Sequence, residues 1–114
     1  MSDHIEVVTT VETPEDARRI AQALVESRLA SCVQVRGPIT STYRWQGKIE
    51  TAEEWQCVAK TRRDLYDRVE EAIAALHPYE VPEILALPIV AESAAYRQWL
   101  DAETSDPPAS QRPS

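Results

Sequence analysis

Three prolines in the stretch from His77 to Ile89 constrain the fold of this 114-residue chain more than any other feature. Pro78 disfavours helical dihedral angles at His77, so the helical pattern before it is expected to end there. Pro82 and Pro88 enclose an apolar run, and they are expected near the ends of a strand because proline cannot donate to a β ladder. The stretch therefore predicts a helix end, a polar loop and a buried strand. The polar groups of the loop either face water, as in an ordinary turn, or form part of a site.

The first part of the chain predicts a strand followed by a helix. Residues 5–11 are rich in alternating β-branched side chains, which is typical of a strand. Thr13 and Pro14 then begin a helix, because threonine caps helix N-termini and proline fits the first helical position. Apolar residues at helical spacing extend this helix to about Leu29. His4 is expected to lie at a frayed chain start.

A long β-hairpin is predicted from residue 32 to residue 60. The Gly37-Pro38 pair should distort the first strand, because proline is tolerated at edges and bulges. Gln46-Gly47 is a candidate for a two-residue turn, which would pair Trp45 with Lys48. A hairpin of this length should project beyond the core of a small domain, and its open edges are a liability in a monomer. We therefore expect another chain to cover it.

The second part of the chain predicts two more helices and a strand. Thr61 and Asp64 repeat the capping pattern, and apolar residues from Leu65 to Leu76 form the buried stripe of a helix. A strand from about residue 83 to 89 follows. Ser93 is predicted to cap a short last helix.

The order of elements predicts an α+β fold, a ferredoxin-like βαββαβ sandwich with a short C-terminal helix and a long hairpin. Right-handed crossovers would place two helices on one face of a four-stranded antiparallel sheet. The domain is expected to cover residues 1–102, followed by a flexible polar tail at 103–114 that is rich in proline and serine. The other sheet face needs a cover, which favours oligomerisation.

Composition excludes several functions. The net charge of −7 argues against binding to nucleic acid or to an anionic membrane, and no apolar run approaches the length of a membrane span. Two cysteines without a signal peptide favour a reducing compartment, so we expect the protein in the cytoplasm. The sequence has no Gly-rich phosphate loop, nucleophile elbow or Ser/His/Asp set, so we do not expect an enzyme.

A metal site is predicted by elimination. His77 is the one histidine away from the chain start, and imidazole is the commonest transition-metal ligand. Cys32 is either a small buried hydrophobe or a soft ligand, whereas Cys57 alternates with apolar residues and is predicted to be core. Glu80 is the third candidate ligand. Copper, as Cu(II), is the predicted ion, weakly bound, with Cu(I) or zinc as alternatives. No paired ligand spacing is present, so the site is either sparse or shared between chains.

Five blocks of sequence resemble the CutA divalent-cation-tolerance proteins, in the family's order and spacing. The blocks are Leu29–Val33, Ser41–Glu50, Lys60-Thr61, His77–Ile84 and the last helix with Tyr96 and Trp99. This resemblance implies a homotrimer whose sheets pack together. It also implies binding of copper or other divalent metal ions, and involvement in the response to metal ions. Members of the family often carry a cysteine at the position of Cys32.

The resemblance also places a set of side chains near the clefts between subunits. These are Tyr43, Trp45, Glu54, Lys60 and Tyr79, with Glu80 beside them. CutA trimers are similar to the PII signal-transduction proteins, which bind small ligands in such clefts. A PII-like trimeric small-ligand sensor is therefore the alternative function, although fold analogy transfers function weakly. From the residues alone, Glu54 and Lys60 fit a solvated face or an ion pair between chains equally well. Glu92 departs from the family, which commonly has a glycine-containing turn there.

Overall fold

A computed structural model of the protein describes residues 3–105. The strands are β1 (His4–Val11), β2 (Cys32–Trp45), β3 (Lys48–Arg62) and β4 (Ile84–Pro88), and the helices are α1 (Pro14–Glu26), α2 (Tyr66–Leu76) and α3 (Ala94–Glu103). The strands form one antiparallel sheet in the order β2-β3-β1-β4. This arrangement confirms the predicted ferredoxin-like α+β fold.

The hydrophobic core lies between one face of the sheet and the two helices α1 and α2. Its buried apolar side chains include Ile5, Val7, Val11, Ala17, Ile20, Leu24, Cys57, Ala59, Leu65, Val69 and Ile73. Burial raises the pKa of the Cys57 thiol to about 11, so this cysteine stays a neutral core residue, as predicted. None of the helices within residues 3–105 is long and apolar enough to cross a membrane.

Two of the predicted helix caps are confirmed. The Thr13 hydroxyl accepts a hydrogen bond from the Asp16 amide at 3.1 Å, and Pro14 occupies the first position of α1. The Ser93 hydroxyl accepts one from the amide of Tyr96 at 3.2 Å, which caps α3. Side-chain acceptors at these positions satisfy amides that have no partner inside the helix.

The first helix ends earlier than predicted. It stops at Glu26 because Arg28 adopts a left-handed conformation with φ of 63°. The amides of Leu29 and Ala30 then turn back to the carbonyl of Leu24, which closes the helix. Periodicity of apolar residues continues past this point, so the sequence pattern alone overestimates the length of the helix.

The predicted cap of the second helix at Thr61 is wrong. Thr61 lies inside β3, fully buried, and its hydroxyl donates to the carbonyl of Leu29 at 2.6 Å. A 3₁₀ turn at Arg63–Leu65 leads into α2, whose N-terminus has no side-chain cap. Strand β3 continues past Thr61 because Arg62 still pairs with His4 of β1.

The long hairpin has the predicted register. Trp45 pairs with Lys48, and Gln46 and Gly47 both have positive φ, at 51° and 80°, as a type I′ turn requires. The ladder shifts between Arg36 and Ile39, at the expected distortion. No residue from 40 to 53 is buried in this chain, so the distal part of the hairpin lies outside the core.

The chain end is structured slightly further than predicted. Helix α3 extends to Glu103, and Thr104 is buried with its hydroxyl donating to the carbonyl of Leu100 at 2.8 Å. Residues 103–105 therefore belong to the folded domain. The rest of the predicted tail, residues 106–114, lies outside the described residues.

Candidate functional site

A pocket of about 570 Å³ lies between the hairpin and the loop that joins α2 to β4. Carboxylates, aromatic rings and small hydroxyl side chains share its lining, and we call it the acidic–aromatic pocket. It is lined by Thr10, Ser41, Thr42, Tyr43, Trp45, Glu54, Tyr79, Glu80, Val81 and Glu83. Four of the five side chains that the family resemblance places in a cleft therefore share one pocket within a single chain.

Glu54 and Tyr79 form the polar centre of the pocket. The Tyr79 hydroxyl donates to Oε2 of Glu54 at 2.8 Å, and Glu54 is only 7% exposed. Burial raises the pKa of Tyr79 well above its usual value, and the hydrogen bond and charge of Glu54 raise it further. The negative charge of Glu12 acts in the same direction. Tyr79 is therefore a neutral hydrogen-bond donor.

His77 holds the loop that carries Tyr79. Its Nδ1 accepts a hydrogen bond from the Tyr79 amide at 3.1 Å, so its other nitrogen carries the proton and donates to the carbonyl of Thr10 at 2.8 Å. The two rings also lie against each other, with centroids 4.7 Å apart. Pro78 fixes His77 in an extended conformation, which ends α2 and turns the chain towards the pocket.

Lys60 lies apart from the other predicted cleft residues. Its Nζ pairs with Oε2 of Glu6 at 2.8 Å, and it is not part of the acidic–aromatic pocket. On the sheet, Lys60 is the cross-strand neighbour of both Glu6 and Cys32. The ion pair of Lys60 therefore lies within the chain, whereas the sequence alternatives were a solvated face or an ion pair between chains.

The three predicted metal ligands do not come together in one chain. Cys32 lies level with Glu6 on the sheet, whereas His77 contacts Thr10, four residues further along β1. At 3.3 Å per residue that separation is roughly 13 Å. Glu80 lines the pocket, and His77 does not.

A metal ion does not fit this ligand set within one chain. Both ring nitrogens of His77 are already engaged, and coordination needs an unprotonated nitrogen that is free to bind. Across residues 3–105, no group of three or more His, Cys, Asp or Glu side chains is arranged to hold a metal ion. Metal binding through Cys32 and His77 therefore stays a prediction that requires more than one chain.

The expectation of a frayed His4 is wrong. This residue begins β1 and is only 1% exposed, with Nδ1 2.7 Å from Glu92 and Nε2 2.7 Å from Asp101. Arg97 also pairs with Glu92, at 3.2 Å. Burial alone would lower the pKa of His4, but the hydrogen bonds and charges of Glu92 and Asp101 outweigh it and raise that pKa.

No local pattern in the sequence predicts that His4 contacts Glu92 and Asp101, because these two residues lie about ninety residues from His4 in the chain. The one available signal is Glu92, which stands where the family commonly has a glycine-containing turn. Its carboxylate joins the chain start to α3, so this departure has a structural role here.

The fold, with its long hairpin, defines a small ferredoxin-like α+β protein. Residues 5–103 match the family described as CutA1 divalent ion tolerance protein, and the chain belongs to this family. The resemblance seen in the sequence is thereby confirmed. The family name links the chain to tolerance of divalent metal ions.

Individual relatives agree with this assignment. The divalent-cation tolerance protein CutA of Thermus thermophilus is 46% identical over 98 residues, which cover 86% of this chain and 95% of that protein. The chloroplastic protein CutA 1 of Oryza sativa is 38% identical over 102 residues, and the chain spans only 58% of its length. A crystal structure of CutA from Xylella fastidiosa has a TM-score of 0.88 at 36% identity, covering 91% of this chain and 100% of that one.

Proposed function

We propose that the protein acts in the response to divalent metal ions as a homotrimer, and that it binds copper or another divalent ion weakly. The observation that carries this proposal is membership of the CutA1 divalent ion tolerance family over residues 5–103. The net charge of −7 supports it, because an acidic surface accumulates cations. The protein acts as a binding protein in the cytoplasm and not as an enzyme.

Exposed apolar surface supports association of several chains. Ile49 on the hairpin and Val90 after β4 are 69% and 86% exposed. The outer edges of the sheet, on β2 and β4, have no strand beside them within the described chain. Contact with further copies would bury these side chains and cover the sheet edges.

Binding of a metal ion by Cys32, His77 and Glu80 would require ligands from more than one chain. Cys32 and Glu80 are each accessible in the single chain, and each would be one ligand of a site completed by a neighbouring copy. His77 would have to release the Tyr79 amide before it could join them. These incomplete donor sets agree with weak binding, and metal content should depend on assembly.

Native mass spectrometry of protein purified without chelator tests the assembly. We expect three times the chain mass of 12.8 kDa, with any retained metal present in the trimer alone. A monomer at micromolar concentration contradicts the proposed trimer.

Cell fractionation tests the compartment, and recovery of the protein outside the cytoplasm contradicts the proposed cytoplasmic location.

Calorimetric titration of the chelator-stripped protein with Cu(II) tests the ligands. The Cys32→Ser variant and the Cys32→Ser/His77→Ala double variant should both bind Cu(II) more weakly than the wild type. Glu71→Gln, an exposed position on α2, is the matched control and should leave the isotherm unchanged. Identical isotherms for wild type and double variant contradict the assignment of Cys32 and His77.

A second function, binding of a small molecule, is favoured by the acidic–aromatic pocket. Its volume of about 570 Å³ lies within the usual range for ligand sites, roughly 300–1,000 Å³. Native mass spectrometry should detect a retained small molecule that the Trp45→Ala variant loses. Lys60→Ala, which lies outside the pocket, should retain it. Equal retention by both variants contradicts this function.

A further inference from the structure

The acidic–aromatic pocket has charge of one sign only. Its lining contains the carboxylates Glu54, Glu80 and Glu83, and no lysine, arginine or histidine. Three aromatic side chains line the same space, from Tyr43, Trp45 and Tyr79. An occupant that complements this lining carries positive charge and has a carbon skeleton that can lie against aromatic rings.

Glu54 is the carboxylate of the pocket that most clearly lacks a positively charged partner. Its side chain is more than nine-tenths buried, and no lysine, arginine or histidine among residues 3–105 forms an ion pair with it. Only one of its two oxygens has a hydrogen-bond partner in this part of the chain, the neutral hydroxyl of Tyr79. The carboxylate has no counter-ion among residues 3–105 and lines the pocket, so a cation in the pocket beside Glu54 would be stabilised.

The lining of the acidic–aromatic pocket suits an organic cation better than a bare metal ion. A divalent ion needs several oxygen ligands converging at about 2.0–2.6 Å, and no three acidic, cysteine or histidine side chains of residues 3–105 are grouped in that way. The carboxylates instead surround a volume far larger than an ion. Aromatic rings attract organic cations through their π faces, which a strongly hydrated divalent ion uses poorly.

We infer that the acidic–aromatic pocket binds a small organic ammonium ion, with its charge beside Glu54 and its carbon skeleton against Tyr43 and Trp45. This inference rests on the second proposed function and names the chemical class of its ligand. Tyr79 contributes indirectly, because its hydroxyl holds the Glu54 carboxylate in place and its amide is fixed by His77.

Three probes of one shape and different charge test the inference on the intact protein at pH 7. Benzylammonium, benzyl alcohol and benzoate share a ring and differ in being positive, neutral and negative. Isothermal titration should show binding of benzylammonium, much weaker binding of benzyl alcohol and none of benzoate. Equal binding of the alcohol, or no binding of benzylammonium to the assembled protein, overturns the inference; the second result is expected if a side chain of a neighbouring copy supplies the cation.

Two variants and one control locate the site. Glu54→Gln keeps an acceptor for the Tyr79 hydroxyl but removes the charge, and it should weaken benzylammonium binding by roughly tenfold or more, as loss of a charged hydrogen bond implies. Trp45→Leu should weaken it as well, whereas Glu71→Gln on α2 should not. Unchanged affinity in Glu54→Gln overturns the inference.

Failure of the inference can be told apart from failure of the ligand-binding function. If native mass spectrometry finds a neutral or anionic molecule that Trp45→Ala loses, the pocket is a ligand site and the ammonium assignment is wrong. If Trp45→Ala and wild type retain the same molecules and benzylammonium does not bind, both proposals fail.

Discussion

Replacing His4 with glutamine should destabilise the folded chain substantially. The variant removes a buried cation from between Glu92, whose side chain is 7% exposed, and Asp101, which is half exposed. Loss of one partner of a buried ion pair costs about 3–5 kcal/mol, and a pair with an exposed partner contributes about 0–1 kcal/mol. Arg97 still pairs with Glu92 in the variant, at 3.2 Å, so the lower end applies. We expect a loss of about 3 kcal/mol.

The loss should depend on pH in a defined direction. The folded state raises the pKa of His4 above its ordinary value of 6.5. Protonated His4 therefore contributes its full stability below pH 6.5, and the contribution is lost as the pH rises through the raised folded-state pKa. The charged groups of the neighbouring elements are Arg62, the cross-strand neighbour of His4, and Arg97 on α3, which pairs with Glu92.

Thermal unfolding at about pH 5.5 and about pH 8.5 measures the effect, with protein concentration held fixed because association also shifts the midpoint. At about 4 °C per kcal/mol, the variant should melt about 12 °C below the wild type at the lower pH and by less at the higher pH. Asp101→Asn is the control, with a change of about 1 kcal/mol or less. A difference between wild type and His4→Gln that is constant or grows with pH would refute the reasoning.

Three smaller predictions concern packing, the pocket and the two thiols. Gly37→Ala should destabilise the chain by about 1–3 kcal/mol in chemical denaturation, because its new Cβ would overlap the ring of Trp55; an unchanged midpoint contradicts this. Tyr79→Phe removes the donor to the buried carboxylate of the pocket and should cost about 1–3 kcal/mol in the same assay. Iodoacetamide at about pH 8 should modify Cys32 well before Cys57, whose pKa is raised to about 11; peptide mapping that finds equal modification contradicts this.

The hairpin and the capped helix starts could be predicted from sequence because their causes are local. A two-residue turn at Gln46-Gly47 fixes the register of everything that pairs beside it, including Tyr43 opposite Glu50. The cap at Thr13 likewise depends on residues within one turn of helix. The prediction at Thr61 was wrong for the opposite reason. Its neighbours in the sequence fit a helix cap, but its hydroxyl donates to the distant carbonyl of Leu29 and the residue lies inside a strand.

The candidate site could be predicted only in part. The residues that the family resemblance places in a cleft include four that line the pocket, and Lys60 does not join them because Glu6 holds it elsewhere on the sheet. Glu83 was missed, although it directly precedes β4 and faces the same space as Glu80. Hydrogen bonds of His77 could not be read from its sequence neighbours, since one of them runs to Thr10.

In the distal hairpin, residues 40–53, the effect of a side chain on the stability of its own chain is separate from its effect on contacts with other molecules. None of its side chains is buried in its own chain, so substitutions outside the Gln46-Gly47 turn should leave the folding free energy of the isolated subunit nearly unchanged. The same substitutions act fully on whatever the hairpin touches outside its chain. Outside that turn, its sequence can therefore change under selection from external contacts alone, and a reporter group attached there would sense those contacts without disturbing the core.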